Sequence, residues 1–70
     1  MNVKLVRKKI TKRGYFVDAY DIYVGIRQPW FFFKMKWYLD AENLSPKDAV
    51  NRIWNSYLQV KGTKLITTTE

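Results

Sequence analysis

One segment of the chain predicts an amphipathic helix with a single apolar side, and this constrains the fold more than any other feature. Ser45 can cap the free N–H groups of a helix, Pro46 suits the first helical position, and Asp48 stands where a capping-box acid would stand. Gly62 is placed to end the helix. The apolar residues at the spacing of one helix face are Val50, Ile53, Trp54, Tyr57 and Leu58. A helix with one apolar stripe packs on one layer, so the rest of the chain must offer it one face of a sheet.

Three segments before the helix predict the strands of that sheet. Residues 2–10 are rich in β-branched side chains, and residues 15–26 and 30–39 alternate in the period of a strand. The turn between the first two lies at residues 11–14, where Gly14 can take a positive φ. After the helix, residues 63–70 predict either a short fourth strand through Leu65 and Ile66 or a frayed tail.

The predicted fold class is therefore α+β, with a three-stranded antiparallel sheet and one C-terminal amphipathic helix packed on one face. A chain of 70 residues is expected to form a single small domain, residues 1–70. The sheet face expected under the helix holds Phe31, Phe33, Met35, Trp37 and Leu39, joined by Phe16, Ile22 and Val24. Asp18 shares this parity, so either it lies beyond the helix or a bulge near Ala19 changes the register.

The other face of the sheet has no predicted cover and is the first candidate site. Its third-strand residues are Trp30, Phe32, Lys34, Lys36 and Tyr38. Tyr15, Tyr23 and some bases of the first strand are expected beside them. Aromatic rings give stacking platforms for bases and lysines contact phosphates, so this mixture favours nucleic-acid binding. The alternative is that the C-terminal tail or a second copy of the chain covers the face.

The positive charge is concentrated near the N-terminus. The formal net charge is +7, and residues 1–13 contain six basic side chains and no acidic one. Such a patch attracts polyanions. The second candidate site is therefore a phosphate clamp in the first strand and its turn, able to enter a groove as a β-ribbon: Arg7, Lys8, Lys9, Lys12 and Arg13. The alternative is a charged edge strand that resists unwanted pairing.

Several classes of function are disfavoured by composition. The chain has no cysteine and no histidine, which removes thiolate chemistry and the commonest general base and metal ligand. The carboxylates do not converge on one site in the predicted elements. The chain is therefore expected not to be an enzyme and to use no metal, cofactor or small-molecule substrate. It has no signal-peptide or membrane-spanning stretch, which predicts a cytoplasmic protein without a membrane partner.

The order of strand, strand, strand and helix, together with the basic charge, resembles the arm-binding domains of tyrosine integrases and similar small DNA-binding domains. In those domains a three-stranded sheet lies against DNA and a C-terminal helix backs it. The resemblance covers most of the chain, but it is one of element order and charge. No motif matches residue by residue, so no site is transferred.

Two functions remain open. The first is a small, non-enzymatic module that binds nucleic acid, single- or double-stranded, through the aromatic and lysine face and the basic first strand. The second is a protein-interaction module that uses the same aromatic face to form a homodimer or to bind a partner protein. A chain of this size would suit a small inhibitor or accessory protein of a phage, virus or mobile element.

Overall fold

The structure, a computed structural model, describes residues 2–27 and 34–70. Three strands, β1 (Asn2–Lys12), β2 (Tyr15–Arg27) and β3 (Met35–Leu44), precede helix α1 (Pro46–Ile53), which continues as a π-helical segment (Trp54–Leu58). A fourth strand, β4 (Lys64–Thr69), follows. The prediction of an α+β fold with three antiparallel strands and a C-terminal helix is thus met in its main elements, and of the two predictions for residues 63–70 the strand is confirmed.

The sheet is mixed and has the order β3-β2-β1-β4. β1 is antiparallel to β2, and β2 is antiparallel to β3, whereas β4 is parallel to β1. β3 and β4 therefore lie at opposite edges of the sheet. They run in the same direction, and two parallel strands need a crossover connection. The helix provides this connection by crossing one face of the sheet.

β1 and β2 form one long hairpin with an unbroken register. Their pairing runs from Asn2 opposite Gly25 to Lys12 opposite Tyr15 without a shift. The two residues between the strands, Arg13 (φ 52°) and Gly14 (φ 80°), both have positive φ, as a type I′ turn requires. This turn suits the right-handed twist of a hairpin, and it agrees with the turn predicted at residues 11–14.

The hairpin register assigns every side chain to a face, because directly paired residues point the same way. Val3 and Ile22, which pack against Ile53 of the helix, define the helix face. The opposite, open face carries the even-numbered residues of β1 and the odd-numbered residues of β2. Its basic residues in β1 are Lys4, Lys8 and Lys12.

The core lies between the helix face and α1. Val3 and Ile22 are fully buried and Ile53 nearly so, with Leu5 and Leu44 packed around them. Ser45 accepts a hydrogen bond from the Asp48 N–H at 3.2 Å, which confirms the predicted N-terminal cap. No helix in the described part of the chain is long and apolar enough to cross a bilayer.

The predicted apolar stripe of the helix is only partly buried. Ala49 and Ile53 are buried against the sheet and Tyr57 is half-buried, whereas Val50 is 62% and Trp54 61% exposed. Residues 49, 53 and 57 follow one another at intervals of four, so the contact line is narrower than the predicted stripe. The expectation that Val50 and Trp54 face the sheet is wrong, because the crossing helix meets the sheet along this one line.

The predicted faces of the third strand are reversed. Trp37 pairs with Gly25 and Leu39 with Tyr23, which places both residues on the open face. Tyr38 pairs with Val24 and Lys36 with Ile26, which places these two on the helix side. The strand alternates as predicted, but the period alone does not say which face the helix covers. The expected residues Trp30, Phe31, Phe32 and Phe33 lie outside the described residues.

The third strand also continues past its predicted end. Residues 40–44, expected to be a polar connection, extend β3 to Leu44 through two register shifts against β2. Each shift adds a residue to β3, and Asn43 takes a positive φ of 56° in the second bulge. The alternative of a bulge near Ala19 is not needed for Asp18. Asp18 pairs opposite Lys9 in the unbroken β1–β2 register, beyond the last residue that pairs with β3.

An ion pair fastens the helix to β3. The Arg52 guanidinium donates two hydrogen bonds to Asp40, at 2.6 and 3.1 Å. The hydrogen bonds from Arg52, together with a hydrogen bond from the Tyr57 side chain, hold the pKa of Asp40 below its ordinary value. Burial and the hydrogen bond between Tyr57 and Asp40 raise the pKa of Tyr57 to about 12. The ionised carboxylate therefore links the edge strand to both parts of the helical segment.

Asp40 makes part of the stability acid-sensitive. Because its folded-state pKa is lowered, its contribution is present above its ordinary pKa of 3.8 and is lost as the pH falls through the folded value. We expect Asp40→Asn to lower the thermal midpoint at pH 7 and to flatten its fall between about pH 5 and pH 2. Thermal unfolding at a series of pH values measures this. Adding Arg52→Gln to Asp40→Asn should cost little more, and additive losses would contradict the direct pairing.

Candidate nucleic-acid interface

The distal half of the β1–β2 hairpin projects beyond the rest of the sheet. The last β3 residue paired with β2 is Leu44, opposite Tyr20, and the last β4 residue paired with β1 is Thr69, opposite Arg7. The five residue pairs beyond this line, from Lys8 opposite Ala19 to Lys12 opposite Tyr15, form a two-stranded ribbon in the described structure. We call residues 8–19 the hairpin arm. At about 3.4 Å per residue it is roughly 17 Å long, before the turn is counted.

The tip of the hairpin arm carries the accessible positive charge. Lys9, Lys12 and Arg13 are exposed, and none of them forms an ion pair with another described residue. Lys12 and Arg13 lie at the turn, whereas Lys9, opposite Asp18, lies near the base of the arm and has the parity of the other face. The predicted clamp residues at this tip are thus brought together on one narrow projection.

Two aromatic rings accompany these bases. Tyr15 is 74% and Phe16 78% exposed, one on each side of the ribbon. Phe16 has the parity predicted for the helix face, but it lies beyond the helix. Rings so exposed add little to the core, and they are available for stacking or for contacts with sugars.

Lys8 and Arg7, in contrast, are engaged by carboxylates of β2. Lys8 Nζ lies 3.0 Å from Asp21 Oδ2, and the hydrogen bond to this carboxylate raises the pKa of Lys8. Asp21 is itself buried and accepts the Asn43 N–H at 3.0 Å, so it also fixes the bulge of β3. Arg7 Nε lies 3.8 Å from Asp18 in an exposed pair. Lys8 thus has a structural partner that the sequence pattern did not indicate.

The centre of the open face is close to electrically balanced. A shallow depression there is lined by the lysines Lys4, Lys8 and Lys9 and by the acids Asp21, Glu42 and Glu70. Glu42 and Glu70 come from the ends of β3 and β4 and are near enough to raise the pKa of Lys8 by their charge. The block of six bases without an acid is therefore partly neutralised by folding, and its unbalanced part lies at the arm tip.

An aromatic and cationic contact occupies the other end of the open face. Lys4 Nζ lies 4.2 Å from the centroid of the Trp37 ring, within the range of a cation–π interaction. The Trp37 ring lies over Gly25, where a Cβ atom would stand 2.8 Å from Trp37 Cζ3. The side chains of Trp37 and Met35 thus both occupy the space that this glycine leaves on β2. Lys4 and Trp37 were not among the predicted site residues.

The predicted site residues of the third strand do not join the arm. Lys36 and Tyr38 lie on the helix side, where Lys36 Nζ is 5.3 Å from the Tyr38 ring centroid, and Lys34 is exposed just before the strand. They are paired with, or lie next to, the end of β2 that is far from the turn. Trp30 and Phe32 lie outside the described residues. The predicted set therefore divides between two ends of a molecule 46 Å long.

Comparison with known proteins finds no matching family model, no matching curated protein and no matching solved structure. Within residues 2–27 and 34–70, no group of three acidic side chains is arranged to hold a metal ion.

The different surroundings of two neighbouring lysines can be tested by stability. We expect Lys8→Gln to lower the thermal midpoint, because it leaves the buried Asp21 carboxylate without its cation. Lys9→Gln removes the same charge without breaking an ion pair among the described residues, so it should change stability by no more than about 0.5 kcal/mol. Thermal or urea unfolding compares them, and equal losses would show that the Lys8 pair is not structural.

The close contact over Gly25 predicts a specific steric penalty. We expect Gly25→Ala to destabilise the fold by about 1–3 kcal/mol, since the added methyl group must displace Trp37 and Met35. In a Trp37→Leu background the same change should cost less, because the stiff ring is gone. Urea unfolding of the four proteins in this cycle measures the coupling, and a cost independent of residue 37 would contradict the contact.

Proposed function

We propose that this chain is a small, non-enzymatic module that binds nucleic acid, and that the hairpin arm is its principal contact. The observation that carries the proposal is a cluster of basic side chains on a projecting two-stranded ribbon, which form no ion pair with another described residue. Lys9, Lys12 and Arg13 would contact phosphates. Lys12 and Arg13 do not line the depression in which carboxylates balance the charge of the open face, whereas Lys9 does.

The dimensions of the arm favour a duplex. The major groove of B-form DNA is about 12 Å wide and admits a two-stranded β-ribbon. An arm of roughly 17 Å can enter such a groove while the basic side chains at its tip reach the phosphates of the two DNA strands. Tyr15 and Phe16 would then pack against sugars or the methyl groups of bases.

A single strand is the other ligand to compare. Exposed rings stack on unpaired bases without much preference for sequence, and Tyr15 and Phe16 offer two such surfaces. If the chain binds a single strand in this way, removing the two aromatic rings should weaken binding more than removing the basic side chains. If the arm enters a duplex groove, removing the basic side chains should weaken binding more, since phosphate contacts dominate duplex affinity.

The decisive variant neutralises the arm tip without damaging the turn. Lys12→Gln removes one charge, and Arg13→Asn removes another at a positive-φ position that asparagine occupies well. We expect this double variant to lower affinity for duplex DNA and to reduce the slope of log K against log salt by about two. Fluorescence anisotropy with a labelled duplex and the matching single strand, from about 50 to 200 mM salt, measures both quantities.

The matched control removes the same charge elsewhere. Lys47→Gln with Lys61→Gln neutralises two exposed lysines, one on the helix and one in the turn after it. We expect this control to keep most of the affinity and most of the salt slope. Equal losses in the two double variants would show attraction to net charge without a defined arm contact, and no binding of either DNA at about 50 mM salt would refute the proposal.

A protein partner on the open face is the second candidate. The observation in its favour is the apolar part of that face, where Leu39 is 50% exposed near Tyr23 and Trp37. Such residues form the centre of many interfaces, with lysines at the rim. Absence of DNA binding, together with a loss of self-association in Leu39→Asp, would favour a homodimer through this face.

A further inference from the structure

The outer edge of β4 is a regular and exposed strand edge. All six residues of Lys64–Thr69 are exposed, and their register with β1 runs without a shift from Asn2 opposite Lys64 to Arg7 opposite Thr69. The strand contains no proline and no bulge. β3, at the opposite edge, is interrupted by two register shifts against β2. Bulges, prolines and central charges are the usual protections of an edge, and β4 lacks all three.

The backbone directions of β4 follow from one hydrogen bond. The Glu70 N–H donates to the Arg7 carbonyl at 2.8 Å, so Glu70 directs its amide toward β1. Backbone directions alternate along a strand, which turns the N–H and C=O groups of Leu65, Thr67 and Thr69 away from β1. In the described structure no strand pairs with this side of β4. These groups form a template for one more strand.

We propose that two copies of this chain pair through their β4 strands, antiparallel and about a two-fold axis at Thr67. The hydrogen-bonded pairs of such a ladder must join residues whose backbones point outward. Centring on Thr67 satisfies this condition, with Leu65 opposite Thr69 of the partner copy. Centring on Ile66 or Thr68 would instead oppose residues whose N–H and C=O groups point to β1, so neither centre meets the condition.

Charge complementarity supports this register and a second copy as the occupant. Centring on Thr67 places Lys64 opposite Glu70 of the partner copy at both ends of the ladder. Lys64 pairs with Asn2 and so points to the open face. Glu70 has the same parity and lines the depression on that face. The two side chains can therefore meet, and symmetry forms the contact twice.

The dimer extends the sheet without covering the proposed binding surface. Its two-fold axis stands perpendicular to the sheet, so both open faces stay on one side of an eight-stranded sheet. β4 is parallel to β1, and therefore the two hairpin arms point in opposite directions. The interface uses no arm residue. Self-association can therefore be measured without nucleic acid, and its result does not depend on whether the proposed function is correct.

The first experiment breaks the backbone ladder. Sedimentation of the whole chain over a concentration series should show a mass rising from one copy toward two. Thr67→Pro removes an outward N–H that makes no bond to β1, so it should keep the fold and remain monomeric. Thr67→Val keeps the backbone and should still dimerise. A wild-type chain that stays monomeric at about 1 mM, or a Thr67→Pro chain that dimerises like the wild type, would overturn the proposal.

The second experiment tests the register and does not depend on the proline variant. Lys64→Glu and Glu70→Lys should each weaken the dimer by about fivefold to tenfold at low salt, because like charges then face each other twice. The combined swap should restore the wild-type dissociation constant. Circular dichroism confirms that each variant is folded. Failure of the combined swap to restore dimerisation would refute the Thr67-centred register.

Discussion

The unbroken register between β1 and β2 is the constraint on which the rest of the structure depends. Side chains alternate with a period of two, so a slip of one residue would exchange the two faces along the whole hairpin. The type I′ turn at Arg13 and Gly14 sets this register, and the burial of Val3 and Ile22 under the helix reinforces it. The same register lets the hairpin extend past its neighbouring strands as an arm.

A buried carboxylate connects the electrostatics to the shape of the sheet. Asp21 holds Lys8 on one oxygen and the backbone of Asn43 on the other, so it neutralises a base of β1 and fixes a bulge in β3. The six basic side chains of residues 1–13 are therefore divided in the folded structure between two regions. One is the depression lined by Asp21, Glu42 and Glu70, and the other is the arm tip, where Lys12 and Arg13 form no ion pair with a described residue.

The helical crossover explains why the two edges of the sheet differ. The β3 edge is bulged and is joined to the helix by Arg52 and Asp40. The β4 edge is formed by the last segment of the chain, which lies straight along β1. The first edge resists further pairing and the second invites it. In the part of the chain that the structure describes, the helix covers only the other face, which leaves the open face between the two edges uncovered.

The sequence by itself determined the elements whose causes are local. The turn at Gly14, the cap at Ser45, the strand alternation and the helix near Val50 depend on residues within a few positions of one another. It also indicated the bases of the arm tip. Tertiary structure decided the face of Trp37, the partner of Lys8 and the position of β4, and it divided the predicted site between two ends. Each of these depends on register or crossover between distant segments, because a strand's period of two does not say which face a helix will cover.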